Sequence, residues 1–177
     1  MGSYEIRTVG DPVLRTVTDE VTDIDASLVK VTDNMFSSMY DAAGIGLAAP
    51  QVGIQKRFFV YDHGEHSGVI LNPKIVESDG EWVFEEACLS IPGLSWEIIR
   101  PKTIHLVGID LDGNEVSIEA DELEARLFQH EIDHLNGVLL LDLLDDESRR
   151  QALSKLRELD LRRTPRPPSD PGELRLP

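Results

Sequence analysis

The chain has 177 residues, 41% of them hydrophobic and 28% charged, and a formal net charge of −16 at pH 7, which suits one globular domain with a sizeable core. Its longest apolar runs are far too short to span a bilayer, its single cysteine, Cys88, excludes an intramolecular disulfide, and its acidity argues against wrapping nucleic acid over a broad surface. The opening residues Met1-Gly2-Ser3-Tyr4-Glu5 carry no basic n-region and no apolar h-region of a secretory signal, so the expected location is the cytoplasm.

In chain order, the first predicted element is a helix over residues 24–43. Leu28, Val31, Met35 and Met39 recur at helical spacing, Asp25 is placed to cap the start, and Gly44-Ile45-Gly46 ends it. Short β-rich runs follow at 57–61, 68–71, 82–86, 103–110 and 115–118, with Asp112-Gly113-Asn114 as a hairpin turn between the last two. A second helix is expected over 121–136, stopped by Gly137. A third is expected over 147–163 with Leu153, Leu156 and Leu159 as its apolar stripe. Pro165, Pro167, Pro168 and Pro171 then forbid regular helix, so 164–177 reads as a flexible tail. Strands in the middle and helices at both ends give an α+β domain, divided as a catalytic body over 1–146, a C-terminal helix over 147–163 and the tail. From Ser148 onward there are eight Lys/Arg and four Asp/Glu, against nine and 29 before it. An acidic body thus carries a mildly basic extension.

The densest chemistry lies in His130-Glu131-Ile132-Asp133-His134. Histidines at i and i+4 share one helix face, so both imidazoles can reach one metal ion, and Glu131 beside them is placed to take a proton from water. Leu123 and Leu127 extend that face, and unpaired imidazoles on an apolar face would be costly. A hydrolytic metal needs three protein ligands and an open position. Cys88 is the natural third, since a thiolate suits borderline metals, although its place 42 residues before His130 leaves the meeting to the fold. Ligand chemistry alone favours zinc.

Three segments, in order, resemble the peptide deformylases: Gly44-Ile45-Gly46-Leu47-Ala48-Ala49-Pro50-Gln51, Glu86-Ala87-Cys88-Leu89-Ser90 and Gln129-His130-Glu131-Ile132-Asp133-His134. Softer similarity at Asp11 to Arg15, Leu71-Asn72-Pro73 and Asn136 to Leu139 extends the resemblance over residues 5–145. It implies short antiparallel strands packed around a central helix that bears the His-Glu-x-x-His motif, between an N-terminal and a C-terminal helix. It also implies removal of the formyl group from formyl-methionine of nascent polypeptides, with Cys88, His130 and His134 holding ferrous iron (or zinc, nickel or cobalt) and Glu131 moving the proton. Gln51 and the backbone N–H of Leu89 would stabilise the oxyanion. One position departs from the family's pattern: Ala87 stands where glycine is usual before the cysteine. Glycine there would permit a positive φ or close backbone approach.

For the substrate, Gly46 offers a place where a peptide backbone can approach. Ile45, Phe84, Leu123 and Leu127, with the stem of Arg126, offer an apolar pocket. Gln129 reads as a residue supporting the ligands, and Arg100 as either a substrate-side cation or a structural ion-pair member. Two alternatives stay open. A zinc endopeptidase would share the motif but take a third ligand downstream of the helix. A catalytically weakened ribosome-associated homologue would account for Ala87 and the basic extension. The expected partners are a formyl-methionyl nascent chain and, through the C-terminal basic helix, the ribosome near its exit tunnel. No membrane and no sequence-specific nucleic acid are expected.

Overall fold

The structure, a computed structural model, describes residues 2–163; the Pro-rich segment expected to be a flexible tail lies outside them. Three helices and seven strands form an α+β arrangement, as the sequence implied. Helix α1 spans Ala26–Asp41, and the Asp25 side chain caps it by accepting from the Leu28 N–H at 2.8 Å. Five strands then build an antiparallel sheet in the order β1-β2-β3-β6-β7: β1 Gly46–Ala48, β2 Phe58–Asp62, β3 Ser67–Asp79, β6 Thr103–Ile109 and β7 Glu115–Asp121. A separate two-stranded hairpin holds β4 Trp82–Cys88 and β5 Ile91–Arg100. Helix α2 spans Glu122–Leu135, with Gly137 at a φ of 72° just past its end, and α3 spans Asp146–Arg163.

The apolar run Phe58-Phe59-Val60-Tyr61 explains the layering. Alternate residues on a strand face opposite ways, and here both sets are buried. Phe59 and Tyr61 pack with Leu127, Phe128, Ile132 and Leu135 of α2. Phe58 and Val60 pack with Met35 and Met39 of α1. The sheet therefore carries α2 on one face and α1 on the other, and β2, covered on both, has no polar side to show.

Several boundaries differ from the sequence reading. β3 runs on to Asp79, eight residues beyond the expected end, because its far half is polar and pairs only with β6. β5 was read as no element at all, since Pro92-Gly93 sits near its start; a two-stranded hairpin has only edges, where proline is tolerated. Chain contacts define two compact units, one ending at Leu140 and one beginning at Leu141. Within α3 the expected Leu153/Leu156/Leu159 stripe is not the buried face. Leu153 and Leu159 are exposed, whereas Ala152 is buried and Leu156 half-buried, the i, i+4 spacing of a true 3.6-residue period.

Candidate metal centre and its cleft

Helix α2 sets two of the three donors. His130 and His134 sit one turn apart, with ring centroids 5.0 Å from each other. Cys88 ends β4, where the pairing register slips between Ala87 and Cys88, a bulge that re-aims a side chain. Its Sγ lies 3.2 Å from His134 Nε2, and the ligand atoms of Cys88, His130 and His134 all lie within 4.8 Å of one another. The fold thus supplies the meeting that spacing alone left open. Cys88 fills from upstream the place that the endopeptidase alternative would give to a ligand downstream of the helix.

The donor set fits a metal. A thiol and two imidazoles converge at the edge of a cleft of about 620 Å³, which leaves an open position. Among the described residues, the buried side-chain N and O atoms without a hydrogen-bond partner are Arg126 Nε, Glu131 Oε2 and His134 Nδ1. Two of the three belong to this site. A buried carboxylate oxygen with no protein partner, beside a cleft, is reserved for something that comes in from it.

Electrostatics differ sharply between neighbours. Burial pushes the Glu131 carboxyl up to about 7, against the pull of His130 and His134 and with a further push from Cys88. Burial and the adjacent His130 lower His134 to about 4. Burial also works against a charged His130, yet hydrogen bonds to Cys88 and Glu86 outweigh it and raise His130 well above the usual imidazole range.

That last bond exposes the residue the sequence reading missed. Glu86, buried on β4, accepts from His130 Nδ1 at 3.0 Å, so the ring turns its Nε2 toward Cys88 and His134. Glu86 is itself held by Arg100, through Nε at 2.6 Å and Nη2 at 3.0 Å, and by Arg126 Nη1. Burial alone would raise its pKa; the bonds from His130 and Arg100 hold it at about 2. Arg100 also binds Asp133 Oδ2 at 2.8 Å, which decides its role as structural and gives Asp133 one as well. Arg126 donates to the carbonyls of Ile98 and Trp82; its guanidinium is spent on the hairpin rather than on a ligand. Gln129 does not reach the donors. Its amide holds the Pro101 carbonyl at 3.1 Å and that of Ala125 at 3.0 Å. The Glu86 signal was present as the first residue of the cysteine motif, but its partner lies 44 residues away.

The remaining expected residues line the cleft: Ile45, Gly46, Gln51, Phe84, Leu89 and Leu123, with Leu127 beside them. Gln51 is 1% exposed. Its Oε1 accepts from the Ala48 N–H at 2.8 Å, which fixes the amide orientation, and its Nε2 reaches Ser90 Oγ at 3.1 Å and stands 4.0 Å from Cys88 Sγ. Ala87 has no positive φ and is exposed at the cleft wall, so the backbone demands no glycine there.

Residues 3–150 match the family described as polypeptide deformylase. A peptide deformylase of Halothermothrix orenii is 49% identical over 80% of this chain and 94% of its own length. One of Parafrankia sp. is 41% identical over 94% and 92%. Among solved structures, a peptide deformylase from Legionella pneumophila superposes with a TM-score of 0.87 at 38% identity, covering 93% of this chain and 100% of that one. The one from Ehrlichia chaffeensis in complex with actinonin gives the same values.

Proposed function

Because the chain belongs to the polypeptide deformylase family, we propose a division of labour among its cleft residues. It is a metal-dependent hydrolase that removes the N-terminal formyl group from formyl-methionine of nascent polypeptides and releases formate. Cys88, His130 and His134 hold the ion, which when bound supplies Lewis-acid activation of water and of the formyl carbonyl. Glu131 accepts the proton of the attacking water through Oε2. Oxygen bonds to the formyl carbon, the C–N bond breaks, and Glu131 returns the proton to the departing amine. Burial favours the neutral form of this carboxyl, and its position beside the donors lets it take a proton from water and pass it on. The Gln51 amide and the Leu89 N–H stabilise the oxyanion. Gly46 lies on β1, an outer strand of the five-stranded sheet, and its free edge pairs with the substrate backbone. Ile45, Phe84, Leu123 and Leu127 enclose the methionine side chain.

The observation that carries this reading is the partnerless Glu131 Oε2 next to three converging metal donors. The test pairs two variants on a formyl-methionyl peptide. Glu131→Ala keeps its metal and loses turnover, whereas Cys88→Ala loses the metal. Full metal content in Cys88→Ala overturns the ligand set, and unchanged turnover in Glu131→Ala overturns the proton role. Robust turnover by the unaltered chain also excludes the weakened-homologue alternative.

Ferrous iron is the ion we assign, supported by the family resemblance; the thiolate and imidazole donors also suit zinc, nickel or cobalt. We assign the protein to the cytoplasm; no helix among the described residues is long and apolar enough to cross a membrane. The ribosome is the assigned partner for α3, where Arg149, Arg150, Lys155 and Arg157 are exposed.

A further inference from the structure

A second group of ligating side chains lies apart from the cleft. The turn joining β2 to β3 carries His63 and His66, and the first turn of α2 carries Glu124. None of the three lines the cleft. His63 Nε2 lies 3.1 Å and His66 Nδ1 3.0 Å from the same oxygen, Glu124 Oε1, and the three ligand atoms lie within 4.8 Å of one another. In a tetrahedral zinc site with bonds of about 2.0–2.1 Å, neighbouring donor atoms stand roughly 3.3 Å apart. The two imidazole-to-carboxylate separations need only a small expansion to admit an ion.

The group is held in place from several sides. The turn is closed by the His63 N–H on the His66 carbonyl at 3.2 Å, with Gly64 at a φ of 94° and its N–H on Asp62 Oδ1 at 2.9 Å. The His63 ring stacks on Tyr61 at 6.4 Å and 17°. The two histidine rings stand at 89°, with centroids 5.5 Å apart. The His63 and Glu124 side chains are 9% and 16% exposed, and that of His66 is 64% exposed. Two largely buried donors and one solvent-facing donor make a site that is preformed yet open to entry.

We propose that His63, His66 and Glu124 form a second, peripheral site for a divalent transition-metal ion of the zinc class, with a fourth position open to solvent. Two imidazoles and one carboxylate match the preference of zinc, nickel and cobalt for mixed N and O donors. The net charge of −16 concentrates cations around the chain. An ion there ties the β2–β3 turn to the first turn of α2. That helix begins at Glu122, whose φ of 43° lies in the left-handed region, and it goes on to present Leu127, His130, Glu131 and His134. The alternative is a plain hydrogen-bonded cluster with no affinity for metal.

Metal counting separates the two. Nickel-loaded protein is equilibrated with excess Zn2+, passed through a desalting column and analysed for both elements. The expected result is a second metal equivalent per chain, and a thermal midpoint that rises with Zn2+ concentration. Glu124→Gln and His66→Ala each lose the second equivalent and the rise, while keeping the first metal and peptide turnover. The exposed His66 side chain makes His66→Ala the variant that folds regardless. A total that stays at one metal per chain overturns the proposal. So does a second equivalent that persists in both variants.

Discussion

Replacing Gly46 by alanine probes how tightly the catalytic carboxylate is seated. A Cβ built on Gly46 falls 2.5 Å from Leu127 Cδ1 and 3.0 Å from Glu131 Cδ, with Glu131 Oε1 closer still. Ordinary carbon contacts lie at about 3.5–4.0 Å. The Leu127 methyl must therefore retreat by about 1 Å and the Glu131 carboxyl by at least about 0.5 Å. Both side chains border the cleft, so they give way toward it and the carboxyl leaves its present seat. Overpacking of this kind costs about 1–3 kcal/mol, which for a domain of this size lowers the thermal midpoint by about 2–12 °C. A catalytic group displaced by about 1 Å loses on the order of 10²-fold in rate. The three metal donors are untouched, so metal content stays at the wild-type value. The assay is kcat on a formyl-methionyl peptide, with metal analysis and a melting curve on the same sample. A kcat within twofold of wild type, in a folded and fully loaded protein, refutes the idea that Gly46 makes room for Glu131.

Glu86→Ala removes the shared acceptor of His130, Arg100 and Arg126; leaving those charges buried costs about 3–5 kcal/mol in chemical denaturation, and metal affinity falls roughly 10–100-fold. Unchanged affinity would show that His130 is oriented by something else. Gln51→Ala keeps its metal and loses on the order of 10²–10³ in kcat; a raised KM at constant kcat would point to substrate positioning instead. Iron-loaded protein loses activity in air or peroxide faster than the nickel form, since an accessible thiolate centre oxidises, and equal lifetimes would count against iron. Changing Arg149, Arg150, Lys155 and Arg157 to glutamine abolishes salt-sensitive co-sedimentation with ribosomes while peptide turnover persists; undiminished binding would sink the assignment of that partner.

The parts legible in the sequence were those written locally. The α1 cap is one aspartate and one helix turn, the α2 motif is one face of one helix, and the β6–β7 turn is three residues, Asp112 to Asn114, closed by Asp110 N–H on the Asn114 carbonyl at 3.0 Å. β1 is absent from the expected strands because it is three residues long and opens with glycine, and only pairing with β2 makes it a strand. Cys88 was legible as a donor through chemistry and family resemblance, whereas Glu86 was not. Its meaning depends on three hydrogen-bond donors, Arg100, Arg126 and His130, that the chain delivers from 14, 40 and 44 residues away. Arg126 was legible only in part: its stem borders the cleft as expected, but the sequence did not show that its guanidinium holds Glu86 and two hairpin carbonyls.

The two sheets share no strand, and the donors are divided between them. Cys88 arrives on the β4–β5 hairpin, while both histidines arrive on the helix packed against the five-stranded sheet. Whatever ion bridges these donors therefore also fastens one module to the other, and its ligation energy becomes cohesion of the fold. The Glu86 ion network crosses the same seam beside it. Withdrawing the metal is expected to show first as faster amide exchange in β4 and β5. On the proposed ligand set, the ion that serves catalysis would also rivet the hairpin to the helix.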